Sequence, residues 1–297
     1  CSRRPGNIAI VALDRQPDGP LAGVDRRLRF LGAIDRQPRP NASLAFGLSQ
    51  EFDTQGRIVL RTLLDAHGQP RVGDSGFAAT RWRYNSVGDV VEETTLGLDG
   101  EPVAGRGGYA TVAIEVDDKG RWTHRRFLDA KSQPVPNKDG VFSVQARWTA
   151  QGELVEALMM DGQGQPLADA AGVAIIRRSY NDRGATVRRS YYDVQGRPTL
   201  RAESGCAAIE VREPLDQDWR EERCFDAQGR PLLSKQGWHL KRMRFSATGQ
   251  LLEEAYFDRD GSPTMCRRGD SVCPIHQVRS RFNELGHRVS GRLFGIH

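Results

Sequence analysis

One phrase returns along this chain at nearly constant spacing. It is written as LDAHGQP (Leu64 to Pro70), GLDGEP (Gly97 to Pro102), LDAKSQP (Leu128 to Pro134) and MDGQGQP (Met160 to Pro166). It comes again as YYDVQGRP (Tyr191 to Pro198), CFDAQGRP (Cys224 to Pro231) and FDRDGSP (Phe257 to Pro263). Its prolines, Pro70, Pro102, Pro134, Pro166, Pro198, Pro231 and Pro263, step by 32 residues, with a single step of 33. A catalytic loop is normally written once, whereas a phrase at fixed spacing is a structural unit copied along the chain. Units this short cannot bury a core alone and must share one with their neighbours.

Each unit has two further glycines at fixed offsets. Gly56, Gly88, Gly120, Gly152, Gly184 and Gly249 precede the phrase, and Gly76, Gly108, Gly140, Gly172, Gly205, Gly237 and Gly269 follow it. Glycine recurs where a tight turn needs a positive φ. The runs between turns alternate polar and apolar residues, as in TRWRYNSVGDVVEETTL (Thr80 to Leu96), which reads as a β-hairpin. The proline, which has no N–H to donate, belongs at a turn or strand start. The spacing therefore predicts an all-β fold of tandem antiparallel hairpins of about 32 residues, stacked into an elongated twisted sheet or open solenoid. Seven repeats occupy 48–274, with a divergent cap over 1–47 and a capping hairpin over 275–297. Two columns are expected to line the inner face. One is Phe52, Tyr84, Val116, Trp148, Tyr180 and Phe245; the other is Leu64, Leu96, Leu128, Met160, Tyr192 and Phe257.

The chemistry-bearing residues do not converge. Six histidines (His67, His124, His239, His276, His287 and His297) stand singly and without a shared repeat offset. No nucleophile elbow, phosphate loop, HExxH or dinucleotide fingerprint occurs in a suitable setting, so no catalytic residue, metal ligand or cofactor is assigned. The aspartates Asp65, Asp129, Asp161, Asp193, Asp226 and Asp258 supply one carboxylate per turn. That is too few for a calcium cage and suits hydrogen bonding to the turn backbone. Net charge is +5. The arginines of IIRRSY, TVRRSYY and LKRMRF alternate with apolar residues and are offset by VVEE, REER and LLEE, so a solvated sheet face of cross-strand ion pairs is expected, not a nucleic-acid stripe. An RGD tripeptide at Arg268 to Asp270 is a common chance match.

Five cysteines include Cys1. CSRR at the start resembles the mature end of a bacterial lipoprotein, which implies a lipid on Cys1, a bacterial cell envelope location and, with Ser2, the outer membrane. The remaining four are expected to form two bridges, Cys206 with Cys224 and Cys266 with Cys273, as suits an oxidising compartment. The stretch RRSYNDRGATVRRSYYDVQGRP (Arg177 to Pro198) resembles the tyrosine–aspartate repeats of Rhs and teneurin-like shells and, more loosely, bacterial MORN and WG repeats. It departs from them in period and in its fixed proline. The resemblance implies a scaffold, shell or binding surface. The expected function is a non-enzymatic envelope lipoprotein that binds another protein, as an accessory subunit of an envelope or secretion machine or as an immunity protein against a toxin. A glycan- or peptidoglycan-binding module is the second reading. Specificity should lie where the repeats differ, between the proline and the following glycine. Asn137, Lys138, Asp139, Arg201, Glu203, Arg267, Arg268 and Asp270 are expected to be exposed there and to meet the partner.

Overall fold

The structure, a computed structural model, describes residues 8–15, 25–32, 37–213, 218–268, 271–272, 275–283, 286 and 288–295. Every regular element among them is a β-strand, as the hairpin pattern requires. The chain divides into two units, residues 1–144 with 161–164, and residues 145–160 with 165–297.

The first unit runs through β1 (Ile8–Arg15), β2 (Asp25–Gly32), β3 (Gly47–Phe52), β4 (Ile58–Leu64), β5 (Ala79–Tyr84), β6 (Val90–Leu96), β7 (Thr111–Val116) and β8 (Trp122–Leu128). Each strand pairs antiparallel with the next. After β9 (Ser143–Trp148), the second unit holds β10 (Leu154–Met160), β11 (Ile175–Tyr180), β12 (Thr186–Tyr192), β13 (Ala208–Arg212), β14 (Trp219–Phe225), β15 (Leu240–Phe245) and β16 (Leu251–Phe257). A two-residue ribbon, β17 (Arg267–Arg268) with β18 (Ser271–Val272), interrupts the order before β19 (Gln277–Phe282) and β20 (Arg288–Phe294). From β10 to β16, and on through β19 to β20, each strand again pairs antiparallel with its successor.

The turns explain the sequence phrase. In the hairpin loop Asp53–Arg57, Gly56 adopts φ 80° and donates its N–H to Asp53 O. Asp53 Oδ1 accepts the N–H groups of Gln55 and Arg57. This is a type I turn closed by a left-handed residue, and it adds a bulge beside the loop. The bulge recurs between Arg83 and Tyr84, Glu115 and Val116, Ser179 and Tyr180, and Arg244 and Phe245. The phrase proline pairs back as an isolated bridge, from Leu64↔Pro70 through Phe257↔Pro263. Pro38, in the divergent N-terminal cap, follows suit with Leu31↔Pro38.

The core lies only partly where the two columns put it. Phe52, Tyr84, Val116, Trp148, Tyr180 and Phe245 are only half-buried, since most sit at the bulge, which turns a side chain off the regular alternation. Tyr84 and Tyr180 instead tie repeats together, donating their hydroxyls to Ile58 O and Leu154 O at 2.7 Å. Of the second column, Leu64, Leu96 and Met160 are buried. Two further positions add to the core. One directly follows the third turn and holds Ala45, Val141, Val173, Cys206 and Trp238; the other immediately precedes the second column and holds Thr95, Phe127, Met159, Tyr191 and Cys224. Tyr109 and Phe127 fill them in the third repeat with ring centroids 4.8 Å apart.

Candidate interaction surface

Three turns per repeat position every candidate residue, and the third is the most informative. Consecutive third turns are laced by backbone hydrogen bonds: Asp74 N–H to Ser43 O, Arg106 N–H to Ser75 O and Lys138 N–H to Gly107 O in the first unit. In the second, Ala202 N–H bonds Ala171 O and Lys235 N–H bonds Ser204 O, each at 2.8 Å. Each unit thus has an edge where the backbone is uniform and the outward side chains change from repeat to repeat. Each of these bonds satisfies one turn N–H with backbone alone, so the side chain of that residue is free to vary. Arg106 spans two such turns through Asp74 at 2.8 Å.

Of the residues expected to project from this edge, Lys138, Asp139 and Glu203 are exposed. Asn137 and Arg201 are not, and the turn itself is the reason. Asn137 Oδ1 accepts the N–H groups of Asp139 and Val141, which holds the amide against the loop. Arg201 lies over the Tyr191 ring at 5.5 Å and donates to Glu203 Oε2 at 2.8 Å. Arg267 and Arg268 form β17, paired with Val272 and Ser271. Their side chains, together with Asp270, Cys273 and Cys1, lie outside the described residues.

Cys206 and Cys224 are joined, with Cα atoms 5.4 Å apart, and both are fully buried. Trp238 completes their cluster, with Ile209, Leu232 and Tyr256 packed against it. The bridge occupies the slot that Tyr109 and Phe127 fill in the third repeat, which sequence reading did not show. The histidines also need correction. His239 and His276 occupy the same repeat position, although they stand 37 residues apart and not 32. The β17–β18 ribbon adds the difference and hides the repeat. Each ring nitrogen Nδ1 meets a strand carbonyl at 2.8 Å, Cys224 O for His239 and Tyr256 O for His276. Each ring stands edge-on to a second-column phenylalanine, Phe225 or Phe257, at 5.5 and 5.3 Å. The aligned signal was WHL against IHQV, legible only after the ribbon is removed.

The aspartate column caps turns. Oδ1 of Asp65, Asp129, Asp161, Asp193, Asp226 and Asp258 accepts the N–H of the residue two further on. These bonds stabilise the charged form. The backbone N–H of Arg57 is the main cause holding the Asp53 carboxyl below the ordinary aspartate range, and the Arg121 guanidinium does the same for Asp117. At Asp193 and Asp226 burial pushes upward, but the N–H and guanidinium of Arg197 and Arg230 outweigh it.

The arginine-rich sheet face is laced as expected. Arg83 meets Glu92 at 2.7 Å, Arg177 meets Glu156 at 2.6 Å, and Arg279 meets Glu253 at 3.2 Å. Glu221, only 3% exposed, is held by Arg223 and Arg242 at 2.6 and 2.7 Å. Burial favours a raised pKa for Glu156, yet its two arginines, Arg177 and Arg147, keep it below the usual carboxylate range. Arginine also covers aromatic faces: Arg57 over Tyr84 at 4.5 Å, Arg125 over Trp122 at 4.3 Å and Arg177 over Tyr192 at 4.5 Å.

No family model matches the sequence, and no curated protein matches it. Among solved structures, the chain aligns over 91% of its length with a Photorhabdus luminescens Tc holotoxin pore, at 9% identity and a TM-score of 0.32. It aligns over 94% with a TcdB2–TccC3 structure, at 10% identity and a TM-score of 0.25. It spans 15% of each of those chains. A protein of unknown function from Bacteroides caccae aligns over 76% of this chain and 73% of its own, at 11% identity and a TM-score of 0.17. No function passes from these likenesses to this repeat β-hairpin chain.

Proposed function

We propose that the protein is a non-enzymatic scaffold whose units each bind another protein through their third-turn edge. One observation carries this reading: within each unit the edge keeps a uniform backbone ladder while its exposed side chains change from repeat to repeat, Asp74, Arg106, Lys138 and Asp139 in the first unit and Glu203 and Lys235 in the second. A surface that is constant in shape and variable in chemistry suits specific recognition, as in other repeat proteins. The setting belongs to the same proposal. A lipid on Cys1 anchors the protein to the bacterial outer membrane, where it serves an envelope or secretion machine or neutralises a toxin. A glycan-binding role needs bare ring faces, and the rings at Tyr84, Trp122 and Tyr192 carry guanidinium groups instead.

A pull-down from envelope extract tests the edge. The joint variant Lys138→Ala, Asp139→Ala and Glu203→Ala should lose the partner. The sheet variant Arg177→Ala, Arg178→Ala and Arg189→Ala should keep it. The opposite outcome transfers the site to the flat face. Intact-mass measurement of protein taken from its native membrane tests the anchor, and an unmodified Cys1 counts against it.

A further inference from the structure

Within the second unit, one band beside the third-turn edge has its own chemistry. Pro198 and Leu200, Pro231 and Leu233, and Pro263 and Met265 are all exposed. Leu200 keeps 49% of its surface, Leu233 40% and Met265 37%. The residues between them, Thr199, Leu232 and Thr264, donate their N–H groups to Tyr191 O, Cys224 O and Tyr256 O, all at 3.0 Å. The three pairs therefore stand in one register, one pair per repeat. At the same offset the second unit's first copy has Ala168 and the first unit has Val72, Ala104 and Pro136, all smaller. Large apolar side chains aligned on a surface mark an interaction site more often than chance exposure does.

The flank is distinctive too. Arg197 and Arg230 precede the first two prolines of the band, where the preceding copies have Gln69, Glu101, Gln133 and Gln165. Their side chains are 73% and 72% exposed although each touches its turn aspartate, Asp193 or Asp226, at 2.8 Å. Each guanidinium thus keeps donors facing outward.

Resting on the protein-binding reading above, we propose that this band receives an amphipathic α-helix of the partner, apolar along one stripe and bearing carboxylates beside it. The spacing selects the helix. Successive repeats advance by two strands, roughly 9.6 Å at about 4.8 Å per strand. A helix returns to the same face after seven residues, about 10.5 Å along its axis. An extended strand returns to one face about every 6.7 Å, out of step with the band. Leucine and methionine are suited to such a face, and the flanking arginines call for acidic residues on the helix. The band is also rigid, because Leu232 packs on the bridged cluster of Cys206, Cys224 and Trp238. Little ordering is then needed on binding.

The probe is an 18-residue helical peptide with leucine at heptad spacing and glutamate on both flanks, titrated into the 297-residue protein by fluorescence anisotropy. Saturable binding is expected. Leu233→Glu should weaken it by at least about tenfold, the size of one lost buried leucine. Arg197→Glu with Arg230→Glu should weaken it several-fold and flatten its salt dependence. Val72→Glu, in the first unit, should leave it unchanged. Circular dichroism and the intact mass of the Cys206–Cys224 bridge check that each variant is folded. Absence of binding to wild type overturns the proposal. So does tighter binding of a proline-rich extended peptide, or self-association by light scattering that Leu233→Glu abolishes. If the pull-down still recovers a partner through the third turns while the peptide fails, helix docking falls and the scaffold reading stands. If wild type recovers no partner either, the reading itself falls.

Discussion

The third repeat and the sixth solve one packing problem in two ways. The third fills one core slot with Tyr109 against Phe127, and the sixth fills the same slot with the Cys206–Cys224 bridge. Two rings occupy far more volume than two sulfurs, and in the sixth repeat Trp238 completes the cluster. The repeat position therefore fixes where a core pair sits, not which chemistry fills it. The two units differ in a second respect. The described non-glycine residues with positive φ, Leu44 and Ser132, both belong to the first unit. One unit is held by packing and has two strained turns, while the other has a covalent brace.

Removing each filler sharpens that contrast. Phe127→Ala should cost about 3–4 kcal/mol, because a buried ring leaves a cavity that stacked strands cannot close. Loss of the bridge through Cys206→Ala with Cys224→Ala should cost about 3 kcal/mol, as expected for a loop of this length. Hydrogen exchange should show the first change in β5 to β8 and the second in β12 to β16, since repeat stability is largely nearest-neighbour. If either variant loosens both units equally, the repeats do not behave as separable neighbours.

Acid should act on both units alike. Asp53, Asp65 and Asp117 in the first, and Asp193 and Asp226 in the second, all titrate below the ordinary aspartate value of 3.8. Their folded values are lower than their unfolded ones. The stability they contribute is thus present above the ordinary value and is lost as pH falls through the folded values. Melting temperature should hold down to about pH 4 and then decline. Asp53→Asn keeps the turn acceptor and removes the charge, so it should soften that decline. A fall that begins well above pH 4 would show that groups other than these aspartates set the acid sensitivity.

The turns were legible in the sequence because their chemistry is local. Most copies open on an aspartate acceptor, and each closes on a residue at positive φ, glycine in all but the Ser132 copy. The core was less legible because its columns conserve position and not identity: Thr95, Phe127, Met159, Tyr191 and Cys224 share one place, and no residue type marks it. The aromatic columns drew attention, but the bulge left most of the first of them half-buried, and arginines cover faces at Tyr84 and Tyr192. The third-turn edge was visible as a variable stretch. That Asn137 and Arg201 serve their own loops was not, because turn capping and ring stacking depend on where the backbone sends each side chain.

The smallest effect tests the strain. Ser132 stands where Gly68, Gly100, Gly164, Gly196, Gly229 and Gly261 stand in the other repeats, and it adopts φ 62°. Leu44 stands at the third-turn position of Gly76 and Gly108, also at φ 62°. A Cβ in the left-handed region costs about 1–2 kcal/mol, and glycine returns part of the gain through its greater freedom when unfolded. Ser132→Gly and Leu44→Gly should therefore each stabilise the first unit by about 0.5–1 kcal/mol, seen as a higher urea midpoint at unchanged slope. The reverse change is available in the second unit. Gly196 adopts φ 75° with nothing within 4 Å of a built Cβ, so Gly196→Ser meets no steric obstacle and should lose a similar amount through the backbone alone. If Ser132→Gly is neutral while Gly196→Ser is costly, the serine turn is relaxed by some local compensation, and the contrast between a strained unit and a braced one reduces to the disulfide.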